Sequence, residues 1–335
     1  MGNEYKVAMI GCGNRGRDHL PGFKADPRIK VVGLADPKRE NAEALNAQGE
    51  FGAGIFSNHC DLLEAVRPDV VVTCLWTHLH LPVFRDCVGA GVKAVLSEKP
   101  MAITWGECRS MAELAESSGV QLTFCHQRRF APGNLMARKL LADGVFGELE
   151  RMDLWCPPHL LDCGTHSFDQ ALSFNQESRG KWVLAAADTS ELVSFFDVRA
   201  EHVSVGTVVF QNGVRANFQF GGPDRPRWSG AWVYGSKGCF FVGWDGDDAV
   251  GHRYDDASWT FPVVERPEHA DIIGTVKDTI DGLETGKEPE LSHKKAIRAA
   301  EIIFAGYESI RRRAMVEIPF EGFEDNPLHS MLDQR

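Results

Sequence analysis

The sequence predicts an α/β protein, with a doubly wound parallel sheet at the amino-terminal end and an α+β second domain behind it. Two patterns carry that prediction. Five largely apolar runs, Val7 to Ile10, Ile29 to Ala35, Val70 to Leu75, Val92 to Ser97 and Val120 to Cys125, alternate with stretches of helical spacing such as Arg39 to Gln48 and Thr104 to Ser118. Runs with no apolar/polar alternation fit strands covered on both faces, as in a parallel sheet. After about Gln127 the pattern turns to consecutive strands, which marks an α+β arrangement. The expected division is therefore residues 1–126 and residues 127–335.

In the second part, Asn134 to Ala142 has helical spacing. Val203 to Phe210 and Val214 to Phe220 read as a hairpin across Asn212-Gly213, a pair that suits a turn with positive φ at both positions. Trp232 to Tyr234 and Cys239 to Val242 flank Gly235-Ser236-Lys237-Gly238 and read as a second hairpin. From Ser292, a candidate N-cap, to Arg313 the chain is helical again, with Ile297, Ala300, Ile303, Phe304, Tyr307 and Ile310 on one stripe.

The composition narrows the function classes. With 335 residues, 36 basic and 47 acidic side chains, the net charge is −11, a balance that argues against binding a phosphate backbone. Apolar residues at 43% and charged ones at 25% are those of an ordinary globular protein rather than a disordered one. No apolar stretch approaches the roughly 20 residues of a membrane span, and no targeting segment is visible. Nine scattered cysteines without a repeated C-x-x-C pair, in a chain long enough not to need disulfides, suggest a reducing cytoplasm.

The first strand runs directly into Gly11-Cys12-Gly13-Asn14-Arg15-Gly16 and a helix-compatible stretch. In a G-x-G-x-x-G turn the first glycine permits the tight bend, the second lets backbone approach a pyrophosphate, and the third lets helix pack closely on strand. The second strand ends at Asp36, where an acid would accept a hydrogen bond from a ribose 2′-hydroxyl. That carboxylate favours NAD; Lys38 and Arg39 beside it leave NADP open.

Two polar clusters are candidates for chemistry. Glu98-Lys99-Pro100 follows a strand at the carboxyl edge where ligands sit in open α/β sheets, and Pro100 keeps Lys99 extended. Asp162 and His166 are four apart, so on a helix they share a face; a carboxylate beside an imidazole fixes its tautomer and suits a general base. Cys156, His159, Cys163 and His166 are zinc-ligand types, but a helix starting near Asp162 would bring only the last two onto one face, so no metal is expected.

Taken in order, the glycine turn, Asp36, Leu79-His80, Glu98-Lys99-Pro100, Gln127-Arg128-Arg129-Phe130, Gly147-Glu148-Leu149, Asp162-Cys163-Gly164-Thr165-His166 and Tyr234-Gly235-Ser236-Lys237-Gly238 resemble the Gfo/Idh/MocA family of oxidoreductases. The resemblance implies a Rossmann domain, a second domain with a large, mainly antiparallel sheet, and assembly into homodimers or homotetramers. It implies NAD(P)-dependent oxidation or reduction of a sugar, cyclitol or related polyol. Lys99 would hydrogen-bond the reacting hydroxyl, His166 would exchange its proton, and Asp162 would orient the histidine. The turn residues Gly11 to Gly16, Asp36, Leu75, Trp76, His80, Glu98 and Lys99 would then face the cofactor. Leu75-Trp76-Thr77 stands where members commonly carry Thr-Pro-Asn, which places Trp76 beside the cofactor or the substrate. The segment between Gly147 and Asp162 is shorter than usual, and Trp155 and His159 on it, with Arg128, are the substrate-contact candidates. Arg128 or Arg129 would suit an acidic substrate, and one of them equally suits a structural ion pair. The alternatives are an NAD-dependent glycoside hydrolase or lyase working through transient oxidation, and a silent nucleotide- or sugar-sensing co-regulator.

Overall fold

The computed structural model describes residues 3–157, 159–196, 198–222, 229–243, 249–252, 259–260, 265, 267–321 and 323–334. The chain divides into two compact units, residues 1–102, 107–127 and 268–296 in the first and residues 103–106, 128–267 and 297–335 in the second.

In chain order the first unit begins with β1 (Tyr5–Ile10), α1 (Asn14–Asp18), α2 (Leu20–Ala25), β2 (Ile29–Ala35), α3 (Arg39–Gly49), β3 (Gly54–Phe56), α4 (His59–Val66), β4 (Val70–Thr73), α5 (His80–Gly89), β5 (Ala94–Ser97), α6 (Trp105–Ser118) and β6 (Gln121–Phe124). The six strands pair only in parallel, in the order β3-β2-β1-β4-β5-β6. Every residue of β4 and β5 is buried, which explains why those runs carry no alternation. The helix-compatible stretch after the glycine turn is two short helices, because the chain breaks at His19 between α1 and α2.

The second unit contains α7 (Pro132–Ala142), β7 (Leu149–Cys156), α8 (Cys163–Phe174), β8 (Gly180–Phe195), β9 (Val198–Phe210), β10 (Arg215–Gly221), β11 (Gly230–Gly235), β12 (Gly238–Gly243), β13 (Ala249–His252) and β14 (Trp259–Thr260). The chain then returns to the first unit with α9 (Ala270–Thr285), and after α10 (His293–Arg312) it ends in the second unit with β15 (Val316–Glu317) and α11 (Pro327–Leu332). Its sheet runs β14-β13-β12-β11-β7-β10-β9-β8-β15, antiparallel throughout except where β7 pairs β10. Alternation along β7 buries Met152, Leu154 and Cys156 on one face, against which α8 packs.

Three sequence expectations change. Helix α9 lies in the residues expected to belong to the second domain, yet it completes the first unit: Ile272, Val276 and Ile280 join Phe23 and the β1 side chains in one buried cluster. Gly22 makes this possible, since a Cβ there would stand 2.5 Å from Val276 Cγ2. At the β9–β10 turn only Gly213 has positive φ. Asn212 instead uses its side chain, with Oδ1 accepting the Val214 N–H at 3.3 Å and Nδ2 donating to Asn175 at 2.8 Å, so the turn is held by side-chain bonds rather than by two left-handed residues. Helix α10 is buried on all sides from Ala299 to Ile310 rather than along one stripe. The Ser292 hydroxyl before it donates to Glu288 at 2.5 Å.

Candidate active site

The nucleotide-facing features belong to the first unit. Gly11 has φ +90°, and a Cβ there would stand 2.2 Å from the Cys74 carbonyl; one at Gly16 would stand 2.7 Å from the Gly11 carbonyl. Only glycine closes this turn. Gly13 differs, because a Cβ there meets nothing within 4 Å, so this point of the turn faces open space. Gly13 is the N-cap of α1 and brings no side chain to the first-turn N–H groups, which have no intrahelical acceptor. The turn therefore fits a diphosphate, whose oxygens accept such donors.

The Asp36 carboxylate, at the end of β2, is anchored from both sides: Oδ2 accepts the Cys12 N–H at 2.8 Å, and Oδ1 accepts the Lys38 N–H at 2.8 Å and Asn41 Nδ2 at 3.3 Å. It ties the glycine turn to the β2 end, and a ribose hydroxyl would share these oxygens. Burial, with Asp36 adding to it, pushes the Cys12 thiol up to about 12, so this residue supplies packing rather than a thiolate.

At the end of β5, Glu98 is buried. Its Oε1 accepts from Arg15 Nη2 at 3.1 Å and lies 3.1 Å from His19 Nε2. Burial alone would raise its pKa, but the bond from His19 and the charges of Arg15 and Lys99 hold it down at about 2. The carboxylate is thus a fixed charge that binds Arg15 of the glycine turn to β5. Lys99 follows it, partly buried, through a cis peptide to Pro100.

His80 sits at the start of α5 with its two ring nitrogens 3.2 and 3.3 Å from the Met101 and Leu75 carbonyls. Burial lowers its pKa, so the ring is neutral and its one N–H serves one carbonyl at a time. This ring braces the loop that carries Leu75 and Trp76 through these two backbone carbonyls. Trp76 is 48% exposed and meets His78 edge-on, so it is a surface aromatic rather than a packed one.

The proton-handling candidates belong to the second unit. Asp162 is the N-cap residue of α8, and His166 stands buried one turn further on. Their approach loop is tied from below: Glu201 of β9 accepts the Leu160 N–H at 2.7 Å and the Tyr307 hydroxyl at 3.0 Å. Neither Glu201 nor Tyr307 is distinguishable in the sequence, because they lie 106 residues apart and only the fold brings them together. His159 is buried against the Phe195 ring at 4.3 Å, and its Nδ1 accepts the Asp162 N–H at 3.4 Å. It shapes the loop before Asp162. Burial raises the Cys156 thiol, with Cys163 and Asp162 adding to that and Arg128 opposing it; this places those residues in one electrostatic neighbourhood.

Two candidates fall elsewhere. Trp155 lies on the face of β7 opposite Cys156 and α8, where it stacks on Phe241 at 5.5 Å across Gly230. The strict alternation of a strand removes it from the His166 neighbourhood. Arg129 is fully buried and clamps Asp169 through Nε and Nη2, both at 2.8 Å, and Glu177 at 2.5 Å. Of the two arginines it is the structural ion pair.

A parallel sheet in this order with a glycine turn after its first strand is the doubly wound fold that binds dinucleotides. Residues 5–126 match the family model of the Gfo/Idh/MocA family, described as an oxidoreductase family with an NAD-binding Rossmann fold. The chain is 27% identical to the rhizopine catabolism protein MocA of Rhizobium meliloti, over 50% of this chain and 56% of that protein. It is 31% identical to inositol 2-dehydrogenase of Paracoccus denitrificans, over 41% of each. The chain thus spans about half the length of the curated relatives it matches. A solved levoglucosan dehydrogenase in complex with NADH shares the fold at TM-score 0.83 and 17% identity, covering 95% of this chain and all of that one.

Proposed function

We propose that the protein is an NAD-dependent oxidoreductase that transfers a hydride between a secondary hydroxyl of a sugar, cyclitol or related polyol and the nicotinamide. The observation that carries this is the glycine turn, closed by Gly11 and Gly16, open at Gly13 and tied to Asp36. Likeness to proteins named for inositol and levoglucosan dehydrogenases supports a polyhydroxylated substrate. His166 exchanges the hydroxyl proton, Asp162 orients it, and Lys99 donates a hydrogen bond to the hydroxyl oxygen. Arg128 and His159 are the remaining substrate-contact candidates. Leu184 and Val205, exposed on neighbouring strands, support self-association as a homodimer or homotetramer, and nine free cysteines support a reducing, cytoplasmic setting.

The test is NADH binding by fluorescence, followed by NADH absorbance across a panel of sugars and cyclitols. Saturable binding and turnover of at least one polyol are expected. Without NADH binding the reading fails. His166→Ala should lower kcat by about 10²–10⁴-fold, the usual worth of a positioned acid–base group. Lys99→Met should abolish turnover while NADH still binds. Release of an aglycone with no net NADH would instead point to the redox-neutral hydrolase or lyase.

A further inference from the structure

A second set of chemically versatile side chains lies on the surface of the first unit, on helices that the proposed reaction does not use. His59 and Cys60 are the first two residues of α4, fixed there because Asn58 caps the helix, its Oδ1 accepting the Cys60 N–H at 2.7 Å. Asp86 comes from the exposed side of α5. The three donor atoms converge: His59 Nε2 is 2.8 Å from Asp86 Oδ2 and 3.5 Å from Cys60 Sγ, and Cys60 Sγ is 4.0 Å from Asp86 Oδ2.

These separations can be compared with a tetrahedral metal centre. Zinc bonds of about 2.0–2.1 Å to nitrogen, 2.0–2.2 Å to oxygen and 2.3 Å to sulfur imply edges of about 3.3 Å for N···O and about 3.5 Å for the two edges to sulfur. The N···S edge already matches, and the other two need changes of only about 0.5 Å, within reach of side-chain rotation. We propose that His59, Cys60 and Asp86 form a surface site for a divalent transition metal of the zinc class, with solvent supplying the fourth position.

The donor set is mixed nitrogen, sulfur and oxygen, which suits zinc better than hard cations such as magnesium or calcium. Charge favours a cation there as well, since the Asp86 carboxylate already stands among the donors, 2.8 Å from His59 Nε2. On binding, the metal–sulfur bond forms as the S–H bond breaks, and the proton leaves to solvent. The contrast with His19, Glu98 and Cys125, which also lie within 4.8 Å of one another, is instructive. There the buried Glu98 already carries the Arg15 guanidinium, so a cation is present and a second one is repelled. At His59, Cys60 and Asp86 the donors are exposed or half-exposed and open to solvent.

The test is titration of the reduced, metal-stripped full chain with Co²⁺ as the spectroscopic probe, followed by competition with Zn²⁺. One Co²⁺ per chain is expected, with the sulfur-to-cobalt charge-transfer band and the strong visible bands of four-coordination, all removed by one equivalent of Zn²⁺. Cys60→Ser should abolish the charge-transfer band. His59→Gln and Asp86→Asn should each weaken binding by at least about tenfold, since losing even an outer-shell partner typically costs that much. Circular dichroism checks that each variant is folded, and Cys60→Ala serves should the serine disturb the Asn58 cap. A charge-transfer band that persists in both Cys60 variants would overturn the site. So would binding unchanged in His59→Gln and Asp86→Asn, which would mean a lone exposed thiol.

Discussion

Both oxygens of Asp36 accept backbone N–H groups, one of them from Cys12 in the glycine turn. Replacing the carboxylate with an amide turns one acceptor into a donor that faces another N–H. Asp36→Asn should therefore weaken NADH binding by about tenfold or more, because hydrogen bonds to a charged acceptor contribute about 1.5–3 kcal/mol. An unchanged dissociation constant in a fluorescence titration would refute this. Glu98 gives a pH dependence of known sign. Its folded pKa of about 2 lies below the ordinary 4.5, so its stabilisation is present above 4.5 and is lost as pH falls towards 2. In urea unfolding, the wild type should exceed Glu98→Gln in stability near neutrality, and the gap should close as the pH falls from 4.5 towards 2. A gap that stays constant with pH would show that the charge contributes nothing.

At the scale of elements, Gly22 and Val276 give a two-residue test of how α2 meets α9. Gly22→Ala alone puts a methyl 2.5 Å from Val276 Cγ2, while Val276→Ala alone leaves a small void in a buried cluster. Each single change should cost about 1–3 kcal/mol, and the double change less than their sum, because the new methyl enters the space the valine vacates. Simple additivity in thermal or urea unfolding would mean the helices do not meet through this pair. Elements whose signal is local were legible in the sequence: the apolar runs of β1, β2, β4, β5 and β6, and the strands on either side of Asn212-Gly213. Helix α9 was not singled out, and even its stripe of Ile272, Val276 and Ile280 would say that a face is buried but not against what. The same holds at the candidate site. The Gly11–Gly16 turn, Glu98-Lys99 and Asp162/His166 are compact in sequence and could be read. Glu201 and Tyr307 support Leu160 across long separations, and His19 reaches Glu98 across 79 residues, with no local pattern to mark either.

At the scale of the whole molecule, the first unit is assembled from separate lengths of chain, with residues 268–296 returning after the second unit's main segment. The return is extensive. Arg28 binds Asp281 at 2.8 Å and Glu284 at 2.5 Å, Gln121 Nε2 donates to the Thr279 carbonyl at 2.8 Å, and the Phe124 N–H donates to the Leu291 carbonyl at 3.0 Å. A fragment ending at Gln127 would leave Phe23 and the α2 face without Ile272, Val276 and Ile280, and β6 without its contact to Leu291. Each buried apolar side chain of that size is worth about 1.5–3 kcal/mol, so three of them approach the whole net stability of about 5–15 kcal/mol of a typical domain. Residues 1–127 alone should therefore bind NADH poorly and unfold without a sharp transition. The same fragment joined to residues 268–296 by a long flexible glycine/serine linker should regain both a cooperative melt and NADH affinity. Calorimetry and NADH fluorescence on the two fragments decide it: a sharp, full-strength transition from residues 1–127 alone would mean that α9 decorates a finished domain instead of completing one.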